Sequence, residues 1–151
     1  MINFSLSKKV RRSYQPKRID ISKWLHASLI HKYNSVYIDI AIVDSQTSKF
    51  LNNQYRQKDN PTNVISLEYN DTRDEFAILT GELYLCDEVI VNEALSQNKD
   101  ILSHYAHMIV HGLLHLQGLD HIKLKEAHHM ESLEINILKK FGIKNPYISG
   151  K

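Results

Sequence analysis

The sequence has 151 residues, enough for one ordinary domain with a sizeable core. Hydrophobic residues make up 42% and charged residues 24%, which is typical of soluble globular proteins. No apolar run approaches the length needed to cross a bilayer, which argues against a membrane protein. Residues 1–6 lack the charged and continuous apolar regions of a signal peptide. Cys86 is the single cysteine, so no internal disulfide can form, and we expect a protein of the reducing cytoplasm.

The formal net charge of +2 is unevenly distributed along the chain. Six basic residues precede Asp20, the first acidic residue: Lys8, Lys9, Arg11, Arg12, Lys17 and Arg18. Without these six, 13 basic residues remain against 17 acidic ones, so the rest of the chain carries −4. A basic N-terminal segment (residues 1–19) on an acidic body can bind a polyanion such as RNA. A solvated surface loop explains the same cluster equally well.

Hydropathy patterns predict strands and helices that alternate along the chain. In the first half of the chain we predict a strand at 2–6, a helix at 20–32, a strand at 36–42, a helix capped by Asp44 or Ser45 that ends near residue 56, and a strand at 64–67. An exposed turn at 70–77 and a strand at 81–86 follow. The last three predicted elements are a helix capped by Asp87 that ends near residue 98, a central helix from Asp100 or Ser103 to Gly118, and a helix at 125–141. This order predicts one α/β-type domain with a sheet of about four strands.

The strongest functional signal is the segment from His111 to His121, which reads H-G-L-L-H-L-Q-G-L-D-H. His111 and His115 are four residues apart, so a helix places them one turn apart, about 6 Å along its axis, on the same face. Gly118 can adopt a left-handed conformation that ends the helix and returns His121 to that face. Three protein ligands leave a fourth position for water, as in catalytic zinc sites. The spacing therefore predicts a metal site formed by His111, His115 and His121.

The same spacing of three histidines and one glycine occurs in metzincin proteases, which carry a glutamate base directly after the first histidine. Here that residue is Gly112, which has no side chain to accept a proton. Met130 also falls inside a predicted helix rather than in a turn. A zinc metalloprotease is kept as one alternative. His104 and His107 share the predicted helix face and are either further ligands, partners of ligands or core-facing histidines, and the last reading is the simplest.

Several other segments match a known family. They are Tyr55-Arg56, Pro61 to Ser66, Gly81 to Cys86, His104 to His107, Met130-Glu131 and Glu134. Together with glycine in place of the glutamate base, they resemble the YbeY family of bacterial endoribonucleases, over about residues 21–147. This chain has Gly81-Glu82 where the family usually has Gly-Asp, and Leu67 where an aromatic residue often follows the serine. Both departures keep charge or hydrophobicity, so they affect details of substrate fit.

The resemblance implies an α+β fold: a single domain, residues 1–151, in which a mixed sheet of about four strands packs against about five helices, with a zincin-like metal-binding central helix. It implies a zinc-dependent endoribonuclease that cuts single-stranded RNA, matures the 3′ end of 16S ribosomal RNA and clears defective ribosomes. It implies one zinc ion per chain at His111, His115 and His121. RNA and the ribosome or its proteins are the expected partners, with no membrane.

Arg56 matches the arginine that the family uses in catalysis, so Arg56 and His111 are the expected catalytic residues. The planar guanidinium can bind two phosphate oxygens, which a lysine does less well. Thr62, Asn63 and Ser66 either line the cleft or cap loops. Tyr55, Tyr69 and Tyr105 either stack on unpaired bases or belong to the core. A further alternative is a non-catalytic, zinc-stabilised ribosome-associated factor, whose closed site needs a fourth ligand such as His107 or Asp120.

Overall fold

The computed structural model describes residues 1–69, 77–119 and 124–148. Its elements are β1 (Ile2–Lys8), α1 (Arg18–Ser28), β2 (Ser35–Val43), α2 (Ser45–Arg56), β3 (Val64–Glu68), β4 (Ile78–Cys86), α3 (Asp87–Ser96), α4 (Ile101–Leu116) and α5 (Leu124–Lys139). The turn predicted at 70–77 falls, except for Ala77, outside the described residues. In the part of the chain that the structure describes, no helix combines the length and apolar character needed to span a membrane.

The four strands form one mixed sheet in the order β1-β2-β4-β3. β1 and β4 run parallel to β2, whereas β3 runs antiparallel to β4 at the sheet edge. Every second residue of β2, from Val36 to Ile42, points into the core, as the strict alternation predicts. Among the described residues, the four-stranded sheet and the five helices confirm the expected α+β fold.

The centre of the core is α4. Eleven of its sixteen residues are buried, because its sequence is apolar on almost every side and it packs against β3, β4, α1, α3 and α5. Both ends follow from local signals. The Asp100 carboxylate accepts a hydrogen bond from Ser103 N at 3.0 Å, and Gly118, with φ 93°, stands just beyond the last helical residue. The predicted central helix is confirmed.

Two predicted helix boundaries are wrong, and both for tertiary reasons. α1 ends at Ser28 and not near residue 32, because Ile30 N leaves the helical pattern to donate to the side chain of Gln117 at 2.9 Å. Asp87 is not a cap but the first residue of α3, and Cys86 takes the cap position. The Asp87 carboxylate is buried and accepts hydrogen bonds from Tyr14, Gln15 and Tyr105.

Candidate metal centre

Four histidines follow one another along one face of α4: His104, His107, His111 and His115. Consecutive ring centroids lie 6.0, 6.3 and 5.7 Å apart. His104 and His107 are buried, whereas His111 and His115 are partly exposed. The row therefore runs from the protein interior to its surface, and its surface end is the pair that the sequence predicts to bind metal.

A carboxylate on α5 joins two of these histidines. Glu134 is fully buried, and its Oε2 lies 2.6 Å from His107 Nε2 while its Oε1 lies 3.3 Å from His111 Nδ1. Tyr147 donates its hydroxyl to the same Oε2 at 2.8 Å. Burial acts to raise the pKa of Glu134, but the hydrogen bonds from His107 and His111 outweigh it and lower this pKa to about 2. Glu134 is thus a carboxylate at every physiological pH.

The charge on Glu134 determines how its partners are protonated. An ionised carboxylate only accepts hydrogen bonds, so His107 donates through Nε2 and His111 through Nδ1. Burial lowers the pKa of His107 despite the neighbouring carboxylate, so this imidazole is neutral. Burial likewise raises the pKa of Tyr147, which keeps its hydroxyl a donor. Glu134 is therefore an anion held by three hydrogen-bond donors.

The donor chemistry of this face fits a metal ion. Because His111 donates through Nδ1, it would bind metal through Nε2, and a carboxylate behind a ligating imidazole is the usual arrangement at histidine metal sites. His115 stands one turn away, with its ring centroid 5.7 Å from that of His111. His121 and Asp120 lie outside the described residues, and within the described ones no group of three or more His, Cys, Asp or Glu side chains is arranged to hold a metal. The complete ligand set stays a prediction.

A second carboxylate fixes the buried end of the row. Glu93 on α3 lies 2.9 Å from His104 Nε2 and accepts two hydrogen bonds from the Asn63 amide, at 3.1 and 3.2 Å. The hydrogen bond from His104 is the main cause that lowers the pKa of Glu93. Asn63 also caps the start of β3, since its side-chain oxygen accepts from Val64 N. The motif before β3 is thereby connected to the histidine helix.

Other residues of that motif have structural contacts. Ser48 Oγ bonds both the backbone oxygen and the backbone nitrogen of Thr62, each at 3.0 Å, which holds the loop against α2. Ser66 donates its hydroxyl to the Gly112 carbonyl at 3.2 Å. Thr62 thus helps to hold a loop against α2, and Ser66 joins β3 to α4. These are structural contacts, as the loop-capping prediction for these residues expects.

Gly112 marks a close approach of α4 to the sheet. A Cβ atom at this position would lie 2.7 Å from Leu83 Cδ2 and 3.2 Å from both Ser66 Oγ and Val64 Cγ2. Leu83 is fully buried, so a larger side chain would have to displace packed atoms. At the position where a metzincin carries its glutamate base, this chain therefore packs directly against β3 and β4 and leaves no room for a side chain.

Arg56 is the last residue of α2 and is exposed. The next residue, Gln57, takes a left-handed conformation with φ 56° and ends the helix. Its catalytic role stays a prediction. Of the three tyrosines considered for base stacking, Tyr55 and Tyr69 are exposed by 49% and 58%. Tyr105 is fully buried and donates to Asp87, so it belongs to the core and is unable to stack on RNA.

Comparison with known proteins identifies the family. The model of the family described as endoribonuclease YbeY matches residues 5–142, almost the whole chain. The chain belongs to the YbeY family. Members of this family are metal-dependent endoribonucleases of ribosomal-RNA processing, so the substrate is RNA and the reaction is hydrolysis of phosphodiester bonds.

The solved structure of a bacterial protein supports the fold. The solution structure of TM1509 from Thermotoga maritima is similar over 93% of this chain and 92% of that one, with 20% identity and a TM-score of 0.54. At this level of identity the likeness concerns the fold alone.

Two residues that contact the histidine row, Glu93 and Tyr147, were missed by sequence reasoning. Glu93 is one of several acidic residues on predicted helices, and nothing in its local sequence distinguishes it from a surface glutamate. Tyr147 lies in the tail beyond α5, where no periodic pattern places it. Their partners His104 and His107 are 11 and 40 residues away, so only the folded chain reveals these contacts.

Proposed function

We propose that this member of the YbeY family is a zinc-dependent, single-strand-specific endoribonuclease that matures the 3′ end of 16S ribosomal RNA and takes part in ribosome quality control. Family membership supports the ribonuclease reaction and its place in ribosomal-RNA processing. The observation that carries the metal-dependent part is the contact between the buried Glu134 carboxylate and His111 Nδ1. A carboxylate in this position fixes the tautomer and the orientation of a ligating imidazole.

One zinc ion per chain is proposed at His111, His115 and His121. When bound, zinc supplies a Lewis acid that polarises a phosphoryl oxygen. The partly exposed positions of His111 and His115 suit a substrate as large as a nucleic-acid strand, because the ion would be held at the surface end of the histidine row. His111 is counted among the catalytic residues for this reason.

Arg56 is proposed as the second catalytic residue. Its guanidinium is always charged and can bind two phosphate oxygens in a fork, which stabilises negative charge that develops on the scissile phosphate. Its exposure at the end of α2 leaves this fork accessible to a phosphodiester.

At the level of the whole protein, residues 1–151 are proposed to form one metallo-endoribonuclease domain. The basic segment 1–19 offers the polyanion a second point of attachment. We further propose the ribosome or its proteins as partners and the cytoplasm as the location; the latter rests on the single cysteine, which is buried and free.

Two other functions are less well supported. A metalloprotease lacks its base at Gly112, and the packing of that position against Leu83 disfavours any acidic side chain there. A purely structural zinc site needs a fourth protein ligand. His107, one candidate, already donates to Glu134 at 2.6 Å.

The proposal is tested with purified protein loaded with zinc, incubated with matched single-stranded RNA, double-stranded RNA, single-stranded DNA and a peptide library, with and without chelator. We expect cleavage of single-stranded RNA alone, abolished by the chelator. Arg56→Ala should lower kcat by about 100-fold, as loss of one oxyanion donor does. Lys139→Ala is the matched control, because it removes an exposed cation from the last turn of α5.

The metal ligands are tested with His115→Ala, which should lose zinc, against His129→Ala, which removes an exposed histidine from α5. Peptide cleavage without RNA cleavage would contradict the proposed function. Equal RNA cleavage by wild type and Arg56→Ala, with chelator abolishing both, would exclude the role of Arg56. Undiminished metal binding by His115→Ala would exclude the ligand set.

A further inference from the structure

The segment that follows α5 folds back against the body of the protein. Gly142, with φ 73°, ends the helix, and Ile143 N bonds back to the Leu138 carbonyl at 3.1 Å. Lys99, in the loop between α3 and α4, donates its ammonium to the Pro146 carbonyl at 2.6 Å. Tyr147 N donates to the Asn145 side chain at 2.9 Å and closes a local turn. These bonds place Tyr147 beside the histidine row.

The Tyr147 side chain contacts the row in two ways. Its ring packs edge to face against His107, with centroids 5.3 Å apart. Its hydroxyl donates to Glu134 Oε2 at 2.8 Å and lies 3.3 Å from His107 Nε2. Although the residue as a whole is 45% exposed, this hydroxyl is bonded to a carboxylate of a fully buried residue.

The two oxygens of Glu134 have different partners. Oε2 receives the two short bonds, 2.6 Å from His107 and 2.8 Å from Tyr147, whereas Oε1 faces His111 at 3.3 Å. A carboxylate is planar, so two donors on Oε2 restrict its rotation and set the direction in which Oε1 points. The longer bond to His111 is thus aligned by the two shorter ones.

We propose that Tyr147 is a positioning residue of the metal site: its hydroxyl fixes the Glu134 carboxylate, and Glu134 in turn fixes the His111 imidazole for metal binding. This inference rests on the metal site of the proposed function. It assigns a role to the chain segment beyond α5, which contributes no ligand of its own to the predicted set.

The test uses full-length metal-free protein titrated with Zn²⁺ against a competing chromophoric chelator. Tyr147→Phe removes the hydroxyl and keeps the ring that packs on His107. We expect zinc affinity to fall about tenfold, at the lower end of the loss seen when a residue that orients a ligand is changed. The absorption spectrum of the Co²⁺-loaded variant should also change, because the ligand field responds to the orientation of His111.

The matched control is Tyr14→Phe, which removes a hydroxyl bonded at 2.5 Å to the carboxylate of Asp87, in a different hydrogen-bonded cluster. Its zinc affinity and Co²⁺ spectrum should equal those of the wild type. Urea denaturation of metal-free Tyr147→Phe and Tyr14→Phe measures how much folding stability each variant loses when a tyrosine hydroxyl is removed. A positioning role predicts comparable denaturation midpoints but a loss of metal affinity in Tyr147→Phe alone.

A double-mutant cycle tests the route of the effect. In a Glu134→Gln background, Tyr147→Phe should change zinc affinity by less than about twofold, because the residue through which it acts is already altered. Full additivity of the two substitutions would overturn the inference, as would wild-type affinity and spectrum in Tyr147→Phe. Wild-type protein that binds zinc tightly but leaves RNA uncut would contradict the proposed function and not this inference. Wild-type protein that binds no metal would overturn both.

Discussion

Substitution of Gly112 by glutamate recreates the first half of the metzincin motif and tests why this chain lacks it. The new Cβ would lie 2.7 Å from the buried Leu83 Cδ2, and overpacking of this kind costs about 1–3 kcal/mol. The carboxylate would then enter the apolar interface between α4 and the sheet, where an unpaired polar group costs about 1–3 kcal/mol more. Replacing glycine within a helix returns somewhat less than about 1 kcal/mol.

The net effect should be a loss of about 1–5 kcal/mol, and the middle of that range, about 3 kcal/mol, corresponds to about 6–12 °C in Tm for a chain of this size. It is measured by calorimetry and urea denaturation on metal-free protein, so that metal binding does not contribute to the transition. Leu102→Glu is the control, since it introduces the same charge at an exposed position near the start of α4 and should change Tm little. If Gly112→Glu unfolds within 2 °C of the wild type (about the shift that 1 kcal/mol produces), position 112 does not face the packed sheet and the protease alternative reopens.

Three further predictions concern metal binding, close packing and pH. Glu134→Gln should weaken zinc binding about 10- to 100-fold in the chelator competition assay, and unchanged affinity would contradict its role. Gly81→Ala should cost about 2 kcal/mol in urea denaturation, because its Cβ would lie 2.8 Å from the Leu67 carbonyl oxygen, which belongs to rigid backbone; a variant as stable as wild type would refute that contact. Asp44→Ala should cost about 1 kcal/mol at neutral pH, since Asp44 caps α2 through Thr47 N. The hydrogen bond from Thr47 lowers the pKa of Asp44, so this contribution is present above about pH 4 and is lost as pH falls further; a pH-independent difference between variant and wild type would contradict it.

The sequence predicted those elements whose boundaries depend on neighbouring residues. α4 begins after Asp100 and ends before Gly118, because a cap and a left-handed glycine act within a few residues of the helix. α2 begins directly after Asp44, because the Asp44 side chain caps its first turn. The alternation along β2 predicted its core face, since one covered side of a sheet imposes a period of two.

The sequence did not predict features that depend on contacts with residues far away along the chain. Asp87 looks like a cap, but its carboxylate bonds to Tyr14 and Gln15, 73 and 72 residues away. Glu134 is among the residues that carry the family resemblance, but the sequence assigns it no role, and only the packing of α5 against α4 makes it the buried partner of His107 and His111. The helical spacing of the histidines predicted their shared face, whereas the contacts of the carboxylates that orient them could not be predicted.

The two carboxylates also bear on the choice between a catalytic and a structural metal site. Glu93 holds His104 through Nε2, and the buried Glu134 holds His107 through Nε2 at 2.6 Å, so this nitrogen of each histidine is already engaged in a hydrogen bond. The other ring nitrogen of each, Nδ1, is buried and has no hydrogen-bond partner among the described residues, which places it against protein and away from the surface. We therefore expect His111 and His115 to bind the metal, whereas His104 and His107 belong to the core. With His121 as third ligand, such a site keeps a position open, which is what hydrolysis of a phosphodiester requires and what a structural zinc site avoids.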